Sequence, residues 1–281
     1  MSNTIYMIDR NIISKIKDNF KDVKPEKIAR IKSLDRKGVT ISLLFAIIEG
    51  NKGSPQTISE AFDGIKKEIE YLPDFFKNAK VDIDFFQYET LLSATAAADQ
   101  QPRDFKRYAQ LVQFMQENLY RKLKKAERIP ILKKIGEVAE QSQVERGNLI
   151  TLCGIASLYG NRNAFDVLKP KPPSSEQAIT EKRAYNAIAD LMTIPRMAGL
   201  KRSLNVAQPN ARIFFKTLDS GLEEFAKEIA ILNHKSTAFP GHTIQETTIG
   251  VNKSLFPDLN LAEFEELKAW LGKGPEPLIV L

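Results

Sequence analysis

Two apolar runs nearly a full chain apart, Ile5-Tyr6-Met7-Ile8 and Ile213-Phe214-Phe215-Lys216-Thr217-Leu218, each end on an aspartate, Asp9 and Asp219. A helical pattern follows both. The first run, short and uninterrupted in its hydrophobicity, suits a strand buried on two faces. In an open sheet with crossover helices, such strand ends lie together along the crevice where ligands bind. Two carboxylates aimed into one crevice repel each other, and a divalent cation held by carboxylate oxygens is the usual remedy.

The order strand–helix, helical block, helix–strand–helix predicts an α/β protein. Its small core is a parallel sheet flanked by helices, joined by a large all-helical insertion. Pro25 suits the first turn of a helix, and Lys37-Gly38 marks its stop. Val39 to Glu49 carries both signals: Val39-Thr40-Ile41 favours a strand, whereas Leu43, Leu44, Ile47 and Ile48 share a helical face, and the segment is read as helix. Ser54-Pro55 opens a helix to about Tyr71, with Pro73 ending or bending it. Helices are then expected over Phe85–Ala98 behind the cap Asp84, Asp104–Ala126, Pro130–Gln141 and Val144–Tyr159, with no strand among them. The run Lys169-Pro170-Lys171-Pro172-Pro173 is an extended connector, because proline fixes the backbone and removes donors. Beyond it come a helix from Ile179 to about Ala198, the strand Arg212–Leu218, a helix over Gly221–Leu232, a strand near Thr247–Val251 and a last helix, Leu261–Leu271. The expected division is therefore a core of residues 1–53 and 176–253, an insertion of 54–168, and a C-terminal helix and tail of 254–281.

Composition narrows the class. A hydrophobic content of 43% with 27% charged residues argues against wholesale disorder. The net charge of +6 and pI of about 9.2 are compatible with a nucleic-acid partner. Cys153 is the single cysteine, which excludes an internal disulfide and a cysteine-rich zinc site. Its apolar neighbours make it a small core residue. No apolar run approaches the roughly 20 residues needed to cross a bilayer. Nor does the N-terminus carry a signal core, so a soluble cytoplasmic protein is expected.

Four acids stand beside strongly apolar residues, where unpaired charge is costly to bury: Asp9, Glu49, Asp190 and Asp219. Their contexts are Ile8-Asp9-Arg10-Asn11-Ile12-Ile13, Ile47-Ile48-Glu49-Gly50, Asn186-Ala187-Ile188-Ala189-Asp190-Leu191 and Thr217-Leu218-Asp219-Ser220-Gly221. In order and context these segments resemble the PIN-like nuclease family, over roughly the first fifty residues and Tyr185 to Ile229. Arg10 stands where a smaller residue is commoner, and the interval from Glu49 to Asp190 is longer than in compact members. The resemblance implies metal-dependent phosphodiester hydrolysis of RNA more often than DNA. Mg²⁺ or Mn²⁺ would be held by Asp9, Asp190 and Asp219, with Glu49 ligating or orienting water. It also implies supporting roles for Thr217 and Asn186, a toxin or defence setting, pairing of two copies, and an inhibitory protein partner.

Simpler readings of the same residues stand beside these. Asp9 and Asp219 are good N-caps for the helices that follow them. Glu49 and Asp190 read equally as helical surface acids, and Asp82 and Asp84 as helix starters. His234 and His242 fall in a stretch rich in turn residues and are read as loop histidines. The cationic segment Arg121-Lys122-Leu123-Lys124-Lys125 could track a phosphate backbone or form a solvated helix face. An alternative to the nuclease is a nucleic-acid-binding or helical interaction protein that lacks hydrolysis.

Overall fold

A computed structural model of the protein describes residues 4–49, 63, 66, 69–82, 101–207, 209–239, 242–272 and 279–280. The helices expected over Ser54–Tyr71 and Phe85–Ala98 fall largely outside them. The chain forms two compact units, Met1–Asp99 with Arg196–Asp219, and Gln100–Pro195 with Ser220–Leu281.

The first unit is α/β. Strand β1 (Thr4–Ile8) leads into helix α1 (Arg10–Lys17), then α2 (Pro25–Lys32), β2 (Val39–Ser42) and α3 (Leu44–Glu49). A short helix α4 (Leu72–Phe75) precedes β3 (Lys80–Asp82), and β4 (Arg212–Lys216) arrives much later in the chain. The four strands form one parallel sheet in the order β3-β2-β1-β4, flanked by helices. Ile5, Met7 and Ile8 of β1 and Ile12, Ile13 and Ile16 of α1 join one buried cluster with Ile41, Phe45, Leu72, Met197 and Leu200. The alternation of β-branched residues on a pleated surface explains β2, and the change of period at Leu43 starts α3. Val39–Glu49 is thus strand and then helix, which corrects the single helix expected there. Strand β3 corrects the wholly helical reading of residues 54–168. Three residues are too few to leave a periodic signature.

At the N-terminal end of this sheet, Asp35 holds two strand entrances together. Its carboxylate accepts the backbone N–H groups of Lys77, Asn78 and Ala79 at 3.1, 2.7 and 2.8 Å. Burial pushes the Asp35 carboxyl up, but the donors from Ala79 and Asn78 and their neighbours outweigh it and hold it below the ordinary value.

The second unit carries α5 (Gln101–Asn118), α6 (Lys125–Gln141), α7 (Leu149–Leu158) and α8 (Arg162–Leu168). Helix α9 (Gln177–Ala207) contributes its residues up to Pro195. The apolar α7 is buried on nearly every side. Gly154 allows α5 to approach it, since a Cβ there would lie 1.9 Å from Met115 Sδ. Cys153 is buried on the same helix, where burial pushes its thiol up, so it is inert core. Helix α10 (Ser220–Glu228) packs on α8, with Glu228 accepting from Asn161 and Asn163 at 2.5 and 2.6 Å.

A hairpin of β5 (Ala230–Phe239) and β6 (His242–Val251) follows. It replaces the helix end and histidine loop expected over residues 229–243. Asn233, His234, Lys235, Ser236, His242 and Thr243 sit inside paired strands instead, while Pro240 and Gly241 lie outside the described residues. Helix α11 (Leu261–Leu271) matches the expectation, and β7 (Ile279–Val280) pairs parallel with β6. Among the described residues no helix is long and apolar enough to cross a membrane.

Candidate active site at the carboxyl end of the sheet

The strand order makes β1 the point where the sheet changes direction. β2 and β3 lie on one side of it and β4 on the other. Crossovers in parallel sheets are right-handed as a rule, and a strand order that changes direction in this way is where open α/β sheets form a ligand crevice, beyond the carboxyl ends of the strands. In register, Ile8 pairs with Lys216, and the Asp9 N–H donates to the Lys216 carbonyl at 3.1 Å. Asp9 and Thr217 therefore stand level at the carboxyl end of the sheet, with Asp219 two residues further on.

Asp9 is 3% exposed and caps α1. Its Oδ1 accepts the Ile12 N–H at 2.9 Å, while Oδ2 accepts from Thr217 Oγ1 at 2.5 Å and Asn11 Nδ2 at 3.3 Å. The capping role expected from sequence is real, because negative charge suits a helix N-terminus. A carboxylate offers about four acceptor sites, so these donors orient the group without exhausting it. Thr217 is completely buried, and its hydroxyl also accepts the Asp219 N–H at 3.0 Å. One side chain thereby fixes the Asp9 carboxylate and the backbone carrying half-buried Asp219. The supporting part read for Thr217 rests here on an observed contact.

Two cations from α2 were not foreseen in the sequence. Lys27 Nζ donates to the Leu218 carbonyl at 2.6 Å, and Arg30 Nη2 donates to the Thr217 carbonyl at 2.8 Å. Their i, i+3 spacing puts them on one side of α2. Only the topology brings that side to the turn after β4. They clamp the turn that presents Asp219 and place positive charge beside the acids. Buried Arg10 adds another cation at the start of α1.

Asp82 closes β3 and so shares this end of the sheet, which replaces its reading as a helix starter. At about 4.8 Å per strand it lies two strands, roughly 10 Å, from β1. Glu49 is the last residue of α3, and its side chain lies outside the described residues. Asp190 belongs to the second unit, where it is 4% exposed and accepts from Lys169 Nζ at 2.5 Å. Lys169 itself has left-handed backbone, with φ of 53°, at the C-cap of α8. The structure thus couples Asp9 and Asp219 through Thr217, and pairs Asp190, within the second unit, with Lys169.

The cationic stretch near Arg121 is largely consumed by ion pairs. Arg121 pairs with Glu127 at 2.7 Å, Lys125 with Glu263 at 2.5 Å and Arg128 with Asp258 at 2.6 Å. Arg121 to Lys124 lie between α5 and α6, outside both helices, which corrects the solvated-helix-face reading and the single helix expected over Asp104–Ala126.

The donor set at the sheet end fits a hard divalent cation. Among the described residues no group of three or more His, Cys, Asp or Glu side chains is placed to hold a metal ion. Mg²⁺, however, is commonly held by one or two carboxylates, with water and substrate phosphates completing its shell. Asp9 and Asp219 meet that requirement in chemistry. Comparison with family models, curated proteins and solved structures returned no match for the chain.

Proposed function

We propose that the protein is a divalent-metal-dependent nuclease of PIN-like type, acting on RNA in preference to DNA, with Asp9 and Asp219 as its central acids. One observation carries the reading: Asp9 directly follows β1, Asp219 lies three residues beyond the end of the adjacent parallel strand β4, and the Thr217 hydroxyl couples them at the switch point of the sheet. Open α/β sheets place their ligand sites there. A divalent cation held by these carboxylates would polarise a phosphoryl oxygen and acidify water. The protein's own groups do the positioning. Thr217, Asn11 and the Ile12 N–H hold Asp9 in one orientation, and Lys27 and Arg30 hold the turn that carries Asp219. Arg10, Lys27 and Arg30 add positive charge that favours approach of a phosphodiester. Glu49 is assigned a supporting role from its resemblance alone. A cytoplasmic toxin or defence setting, with an inhibitory partner or a second copy, follows only by analogy.

A second reading has its own observation. The Ile12 N–H that Asp9 accepts caps α1 and the Thr217 hydroxyl also holds the turn after β4, so the same geometry suits a binding protein with this fold and no hydrolysis.

Labelled single-stranded RNA and DNA incubated with Mn²⁺ separate the two. Wild-type protein is expected to cleave RNA, and Asp9→Asn and Asp219→Asn to lose more than about 100-fold in rate. Cleavage undiminished in both variants, or absent from wild type, would falsify the nuclease reading.

A further inference from the structure

We infer that the face of the sheet at β1 and β4 is a stacking platform for an unpaired stretch of nucleic acid, separate from the acid crevice. Tyr6 and Phe214 are register partners on β1 and β4, with ring centroids 5.6 Å apart and planes tilted by 31°. Phe214 remains 37% exposed although it is a large aromatic on a strand. Among the described residues β4 pairs only with β1, so this aromatic pair lies at the margin of the four-stranded sheet.

Cations frame both rings. The Arg212 guanidinium lies 5.6 Å from the centre of the Phe214 ring, and Arg36 Nη2 donates to Tyr6 Oη at 3.2 Å. Both arginines are exposed. Strand residues alternate faces, so Arg212, Phe214 and Lys216 share one side of β4. Asp35, the nearest acid in sequence to Arg36, is turned away into the N–H groups of residues 77–79. The surface therefore combines the exposed Phe214 ring, backed by half-buried Tyr6, with a positive frame, as sequence-tolerant binding of unpaired bases requires. A base-paired duplex hides its rings in its own stack and fits such a surface poorly.

Tyr6 precedes Asp9 by three residues, a rise of about 10 Å along the strand. Asp9 directly follows β1 with extended backbone, so the odd step of three puts the two side chains on opposite faces. One face grips and the other end of the sheet acts. The platform goes beyond the nuclease reading and stands or falls separately from it.

The test measures binding, not cleavage. Anisotropy of a short fluorescein-labelled oligouridine is followed in EDTA with the Asp9→Asn protein and the same protein carrying Phe214→Leu or Phe214→Tyr. Phe214→Leu keeps an apolar side chain without a π face and is expected to weaken binding about tenfold or more, while Phe214→Tyr stays near the parent. Arg212→Gln is expected to lower the dependence of log affinity on log salt by about 0.7. It keeps the question answerable if Phe214→Leu melts early. A duplex of matched length is expected to bind more weakly. This pattern supports the platform even if no RNA is ever cleaved. Equal binding by all the variants, no binding by the parent, or a duplex bound as tightly as the single strand overturns it, even if cleavage is found.

Discussion

Asp9 and Asp190 are the same residue type, are buried to almost the same degree, at 3% and 4% exposure, and are satisfied by different chemistry. Asp9 sits at a strand end where two hydrogen bonds come from residues within three positions and one comes from Thr217, 208 residues away. Asp190 lies inside a helix and takes an ammonium from Lys169, 21 residues before it. Helix interiors leave a buried carboxylate no backbone donors, since those N–H groups already serve the helix, so a charged side chain must come to it. A strand end followed by a helix start supplies free N–H groups. The contrast shows why an acid at a strand end can be oriented for use, and why an acid within a helix tends to be consumed by its partner.

The contrast can be broken most forcefully at Lys169. Lys169→Met strips a cation from a buried carboxylate and should cost about 2–3 kcal/mol in urea unfolding, scaled down because the lysine is partly exposed. Adding Asp190→Leu should recover most of that loss. If the single variant is as stable as wild type, Asp190 is not held in the way described.

Thr217→Val probes the other side of the comparison. It keeps the shape but removes the hydroxyl shared by Asp9 and Asp219, with an expected loss of about 1–2 kcal/mol. Any RNA cleavage should fall further than stability alone accounts for, and unchanged turnover would argue that the strand-end acids need no such coupling. The smallest effect is expected at Asp35, whose partners are solvent-accessible backbone groups. Asp35→Ala should cost about 1 kcal/mol by thermal or urea unfolding. Because the folded carboxyl lies below its unfolded value near 4, its contribution is present at neutral pH and is lost as pH falls through the folded value. The variant should therefore converge on wild type in strong acid.

Much of the first unit was legible because β1 is an uninterrupted apolar run, β4 has an apolar centre, and each is followed within three residues by an acid and then a helix. That pattern supplied Asp9, Asp219 and the parallel sheet. Where two periods overlap, as at Val39–Glu49, a single label concealed a strand joined directly to a helix. Lys80–Asp82 was invisible because its pairing with β2 alone makes it a strand. The β5–β6 hairpin was missed for the opposite reason. Its Asn233, His234, Lys235 and Ser236 read as loop, whereas antiparallel pairing along nearly the whole of both strands overrides local preference. Lys27 and Arg30 could not be read at all, since their acceptors are backbone carbonyls some 190 residues away.

The pairing of β1 with β4 also dictates a timetable for the newborn protein. At ribosomal speeds of about 5–20 residues per second, β1 emerges roughly 10–40 seconds before its neighbour exists. Through that interval one border of an aliphatic strand stays uncovered. The nascent sheet is then a substrate for holding chaperones and a seed for clumping. Expression at lower temperature, or with added chaperone, should raise the soluble yield of the full chain.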